Sequence, residues 1–282
     1  MKSNWMSALV FFMLALGGST CHAEGKAYSF GVLSVRSVLL TAQYWNPILA
    51  YVSKKSGVPL ELRLSRSSEE TSDAEIRGEY DFVYDNHIFA PSHAAAGYRP
   101  LARAAGKPIR GQIVVPEASP IKSLHELQGK EIGAPSNTAF AAYAVTMSAL
   151  IKAGVAVTPV FAGNQEGVLW QLKAGLIPAA SLNSKVVQEY SVRENFKYRA
   201  LWTSEDFFDF PFAVHPRVPA QEAKAVQDAL VNMVNDPEGL KILKASAAVI
   251  KLEPPYGFVP AQDSEYQNQR EVYRTIRKME AR

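Results

Sequence analysis

Short apolar runs alternate with longer amphipathic segments along almost the whole chain, and the joins between them are brief. "AYSFGVL" (residues 27–33) reads as a buried strand. "LLTAQYWNPILAYVSKKSG" reads as a helix ending at Gly57, with Leu40, Tyr44, Ile48 and Tyr51 on one face and Pro47 implying a kink or a late start. The strand "PLELRL", a short helix to Arg77 and a strand opening "YDFVYDN" follow. "HIFAPSHAAAG" reads as a helix, then come strands near Leu101 and at "GQIVVP", the strand "EIGAP", a long helix, "TPVFA", the helix "QEGVLWQLKAG" and the strand "IPAAS". Strands separated by helices predict an α/β fold with mostly parallel sheets flanked by helices. Two stretches, 111–120 ("GQIVVPEASP") and 203–216 ("TSEDFFDFPFAVHP"), look like crossings between two lobes. They place 24–113 and 212–282 in a first lobe and 114–211 in a second. Such a double crossing is a hinge, and ligands sit at interfaces of this kind.

The first residues read as an address rather than as fold. Lys2 precedes the apolar run "MSALVFFMLAL", too short to span a bilayer, and "GGSTCHA" supplies small residues before a cut after Ala23. Residues 1–23 are therefore expected to be a signal peptide, with the exported chain starting at Glu24. Lipid attachment at Cys21 is the competing reading, disfavoured because "GST" lacks an apolar residue three places before it. Cleavage after Ala23 also removes the only cysteine, which excludes disulfides and thiol chemistry from the remaining 259 residues. The formal charge of +3 falls to +2 without Lys2, and the basic residues are scattered among acids. That argues against nucleic acid as a partner. No later segment reads as a membrane span. The expectation from these residues is an exported, globular protein.

The corner "PSNT", ahead of the long helix, holds Ser136, Asn137 and Thr138, three hydrogen-bonding side chains where a cap needs one. A helix start offers free N–H groups and the positive end of a dipole, so this corner is a candidate oxyanion cradle; a plain cap and turn is the competing reading. "YDFVYDNHIF" places Tyr84 and Asn86 at the carboxyl end of a strand, where open α/β sheets bind ligands. Tyr84 can donate a phenol proton, and Asn86 either binds or caps the next helix. Asp85 would repel an anion and is left out.

Chemistry beyond binding finds little support. His87 and His93 are six apart, not the four of a helical metal pair, so neither a metal nor a cofactor is expected. G-x-S-x-G, H-E-x-x-H and G-x-x-x-x-G-K-[ST] patterns are missing, and no enzyme is expected.

The ordered set of "WNPILAYVSKKSG", "GEYDFVYDNHIFA", "SPIKSLHELQGKEIGAPSNTA" and "GFVPAQDSEYQNQR" resembles the periplasmic substrate-binding proteins of phosphate, phosphite and phosphonate ABC transporters over about 230 residues. The resemblance implies a two-lobe type II periplasmic binding fold, capture of a small phosphorus oxyanion by hinge closure, and delivery by a monomer to a membrane permease. A periplasmic sensing subunit, with a ligand other than phosphonate, is the alternative. Three departures bear on the ligand. The family's Ser-Thr-Ser-Gly loop is here Ser136-Asn137-Thr138-Ala139, an acidic strand end gives way to "IPAASLNS", and a family His gives way to the neighbourhood of Asn164 and Gln165. An acid able to hold a ligand amine is thus missing from the second lobe, which puts aminoalkylphosphonates in doubt.

Overall fold

The computed structural model describes residues 27–33 and 37–280. The expected signal peptide and cleavage site lie outside them. Two sheets form two lobes. The first lobe begins with β1 (Tyr28–Val32), α1 (Val38–Ser56), β2 (Leu60–Arg63), α2 (Ser68–Ile76), β3 (Phe82–Tyr84) and β4 (Arg99–Ala104). The second holds β5 (Gly111–Pro116), β6 (Glu131–Ala134), a π-helical segment at Phe140–Val145 that continues into α3 (Thr146–Lys152), β7 (Thr158–Phe161), α4 (Gln165–Lys173), β8 (Ala180–Asn183), α5 (Ser184–Glu194) and β9 (Tyr198–Thr203). The chain then returns through β10 (Pro211–Val214), α6 (Ala220–Asn232), α7 (Pro237–Val249), β11 (Phe258–Pro260) and α8 (Gln267–Glu280). "HIFAPSHAAAG" forms only two 3₁₀ turns, at His87–Phe89 and Ala94–Ala96.

The six-stranded sheet runs β11-β4-β10-β3-β1-β2 and the five-stranded one β7-β6-β8-β5-β9. Both are mixed. β1 pairs in parallel with β2 and β3, and β6 with β7 and β8; β10, β4 and β11, like β5 with its neighbours β8 and β9, run antiparallel. The parallel pairs are those made through helical crossovers. The antiparallel ones involve strands that carry the chain out of or back into a lobe.

α1 illustrates why the elements form where they do. Ser37 caps it by accepting the Leu40 N–H, Lys54 and Lys55 complement the dipole in its last turn, and Gly57 ends it at φ 73°, a conformation that favours glycine. Pro47 lies inside the helix without delaying its start. Trp45, Ile48, Leu49 and Val52 are buried against Phe30, Phe82 and Phe212, whereas Leu40 stays 37% exposed. Of the expected face, Ile48 and Tyr51 are buried and Tyr44 packs against the core, and the buried stripe is wider than expected, taking in Trp45, Leu49 and Val52.

The first crossing occupies 105–110, ahead of the expected 111–120, because Gly111–Pro116 is itself a strand of the second sheet, with Ile113, Val114 and Val115 wholly buried. The second occupies 204–210. The two crossings pair with each other: Ile109 and Phe207 exchange both backbone hydrogen bonds, at 2.8 and 2.9 Å, and Arg110 is ion-paired with Asp206. α8 makes a third link. The division by sequence places 212–282 in the first lobe, but Val272 and Ile276 are buried in the second core beside Phe140 and Leu150, and Asn268 and Gln269 donate to the Asp206 and Phe208 carbonyls of the second crossing. No helix among the described residues is long and apolar enough to cross a membrane.

Candidate ligand-binding cleft

A cavity of about 360 Å³ lies between the lobes. The first lobe walls it with Val32 and Leu33 at the end of β1, with Tyr84 at the end of β3, and with Thr41, Tyr44 and Trp45 of α1. These are carboxyl ends of parallel strands, the edge at which α/β sheets receive ligands. The wall is stiff because it is interlocked: the Trp45 ring lies 4.8 Å from both Phe30 and Tyr84, and Tyr84 is 5.6 Å from Phe210 of the second crossing. Ala104, Ile109, Asp209 and Phe210 close the hinge side.

The second lobe presents hydrogen-bond donors. Residues 139–142 line the cavity, and Ala139 is the N-cap of the helix. Ala139 is extended, no side chain caps it, and its carbonyl accepts from both Tyr143 N–H and Ala144 N–H, at 3.1 and 3.0 Å. The N–H groups of Phe140, Ala141 and Ala142 have no intrahelical acceptor by the geometry of a helix start, and the positive end of the dipole lies with them. Insertion of a π turn at this point is characteristic of functional sites. Gly111 lets the hinge strand approach it, since a Cβ there would sit 2.5 Å from the Ala141 carbonyl oxygen and 3.0 Å from Val145 Cγ1.

Gln165 and Asn183 complete this side of the cavity. Gln165 Oε1 accepts the Asn183 backbone N–H at 2.8 Å, and Asn183 Oδ1 accepts the Lys185 N–H at 2.9 Å as the cap of α5. Each amide oxygen is thereby held by a backbone N–H, which fixes the side chain's orientation, and the NH₂ end of each supplies two donors. Asn164 is instead the N-cap of α4, accepting from Gly167 N–H. Neither Lys nor Arg is among the described residues that line the cavity. An anion here meets neutral, oriented donors, and one carboxylate, Asp209, stands on the hinge side.

Of the residues singled out from sequence, Tyr84 lines the cavity. Ser136, Asn137 and Thr138 do not cap the helix, whose cap is Ala139, and they stand just before the segment that lines the cavity. The Ser136 and Thr138 hydroxyls bond each other at 3.1 Å, so one proton of the pair stays available for another acceptor. Asn86 is 1% exposed and belongs to a buried polar group behind the loop rather than to the cavity wall. In that group Asp85 accepts the His87 backbone N–H at 2.7 Å, and His87 Nε2–H donates to the Thr138 carbonyl at 3.3 Å, tying the two lobes together beside the loop. Burial, reinforced by the neighbouring Asp85, holds the Glu75 carboxyl well above the usual range. Burial likewise pushes the Tyr273 phenol up and the His93 imidazole down to about 4. Among the described residues no set of three or more His, Cys, Asp or Glu is arranged to hold a metal.

Two sheets joined at a hinge, with a donor-lined cavity between them, define a type II periplasmic binding protein. Residues 30–266 match the family model of ABC transporter phosphonate periplasmic substrate-binding proteins, and the chain belongs to that family. Its role is capture of a phosphonate-like solute. Among solved structures it is similar to XAC2383 from Xanthomonas citri, bound to chloride, at 17% identity and a TM-score of 0.75 over 90% of this chain and 99% of that one. The same protein bound to ATP gives 17% and 0.74 over 90% and 98%. PhnD1 from Prochlorococcus marinus, in complex with methylphosphonate, gives 15% and 0.66 over 90% and 99%. A binding-protein component of an ABC phosphonate transporter from Pseudomonas aeruginosa gives 14% and 0.62 over 87% and 85%. No curated protein matches the chain by sequence.

Proposed function

We propose that the chain is an exported, monomeric receptor that closes its two lobes on the oxyanion head of a phosphonate and presents the closed form to an ABC permease. The observation that carries this reading is the uncapped helix start at Ala139 lining a cavity whose other wall belongs to the opposite lobe. The head would lie against the N–H groups of 140–142, with Gln165 and Asn183 donating from the second lobe and Tyr84 from the first. The Ser136–Thr138 hydroxyl pair would reach it as the cleft closes. Neutral donors stabilise a charged oxygen without an ion pair, which suits cargo that must be released. The ligand leaves as it arrived, without turnover.

Titration calorimetry with methylphosphonate, the ligand named for the Prochlorococcus relative, tests this reading, with small-angle scattering beside it. Saturable binding with compaction is expected, and phosphorus NMR should show the ligand unchanged. A rigid cleft at saturation would remove hinge closure, and a new phosphorus signal would remove the non-enzymatic reading.

A further inference from the structure

The cavity continues past the residues that would hold an oxyanion. A second chamber of about 310 Å³ adjoins it, and Tyr44, Ala104, Ile109, Asn183, Asp209 and Leu252 line both. Beyond this neck the walls are largely apolar: Phe208, Leu243, Ala247, Pro254 and Tyr256. Four charged residues border the second chamber, Lys107, Lys185, Asp209 and Glu253. They balance to no net charge, so the chamber shows no preference for a second anion. Leu252, at the neck, is 37% exposed although its side chain is apolar. A ligand with a single methyl group would leave this whole surface wet, whereas apolar surface is driven to be covered.

We propose that the ligand this cleft is built for is a phosphonate with an extended apolar substituent, an alkyl or aryl chain of several carbons. Its head lies at the start of the Phe140 helix, and its tail passes the neck into the second chamber. The inference rests on the head-group placement argued above. It adds the class of substituent, which neither the family nor the head site specifies. The tail touches α7 and the 253–257 loop of the first lobe and the start of α5 in the second, so it too joins the lobes.

Titration with methyl-, propyl- and hexylphosphonate tests the inference on the intact protein. Affinity should rise about fourfold for each added methylene until the chamber is filled. Gly106→Trp supplies the second arm. Gly106 lines the second chamber but not the first, and a Cβ built on it meets nothing within 4 Å. The indole should therefore be accommodated without disturbing the fold, which a melting curve checks. In this variant hexylphosphonate should bind at least about tenfold more weakly, and methylphosphonate as before. Methylphosphonate binding with no gain along the series overturns the inference alone, as does an undiminished hexylphosphonate affinity in Gly106→Trp. If none of the three binds, the phosphonate head site fails as well.

Discussion

The two lobes meet the same cavity with different materials. The first contributes side-chain mass: Trp45, Tyr44 and Tyr84, locked in an aromatic stack that reaches Phe30 and Phe212 in the core. The second contributes backbone N–H groups at a helix start and two amides whose oxygens are tied down. One side is a shape fixed by packing, the other a field fixed by hydrogen bonding. A change on the first side should therefore cost stability and binding together, while a change on the second should separate them.

Trp45→Ala should produce the largest effect, a loss of about 3–5 kcal/mol in unfolding free energy, because Trp45 is 3% exposed and its removal leaves a cavity. Urea denaturation measures it; a loss below about 1 kcal/mol would mean that the wall is not anchored in the core. Gln165→Ala should weaken phosphonate binding by about 1.5–3 kcal/mol, tenfold or more, if its NH₂ donates to a charged oxygen. Its melting temperature should move far less than that of Trp45→Ala, and equal damage to both quantities would erase the distinction between the lobes. Thr138→Ala is a finer test. Because the cap is Ala139, stability should stay within about 0.5 kcal/mol, while calorimetry should record a loss of roughly tenfold if the hydroxyl reaches the ligand. Wild-type affinity would leave 136–138 as a turn only.

The smallest effect concerns pH. His93 is held neutral, with its pKa lowered to about 4, so its contribution to stability is present above pH 6.5 and is lost as pH falls towards 4. Glu75, with its pKa raised, works in the opposite sense: its contribution is full below the ordinary value of 4.5 and declines as pH rises above it. Between pH 6.5 and 4.5 the two oppose each other, and the stability of the native protein should change little. His93→Gln should uncover the Glu75 slope, so that the variant gains stability as pH falls through this window. Thermal melts at several pH values check the sign.

What could be read from the residues followed local rules. α1 with its Gly57 end, β5 and β6, and the position of Tyr84 are set by periodicity and by local turn chemistry. The cap at Ala139 could not be read that way. "PSNT" has the composition of a cap, but the helical segment begins one residue later, at Ala139, whose side chain has nothing to cap it with. Asn183 lies in the stretch "IPAASLNS" that stands where the family has an acidic strand end, and Gln165 lies where the family has a His. Their roles as donors depend on hydrogen bonds to backbone N–H groups that come together only in the folded lobe. The attachment of α8 to the second core is equally non-local, since its pattern shows an apolar face but not the lobe that covers it.

That attachment has a mechanical consequence. A body held by two adjacent strands can both bend and twist about them, like a door on a ribbon. Here a third tether runs from β11 into α8, which grips the second core through Val272 and Ile276, holds the second strand through Asn268 and Gln269, and lays Tyr273 against Phe140 at 5.5 Å. A third tether off the line of the other two would resist twisting more than bending in any motion of the lobes. Any parting of the lobes would load the Tyr273–Phe140 contact, beside the helix start that lines the cavity.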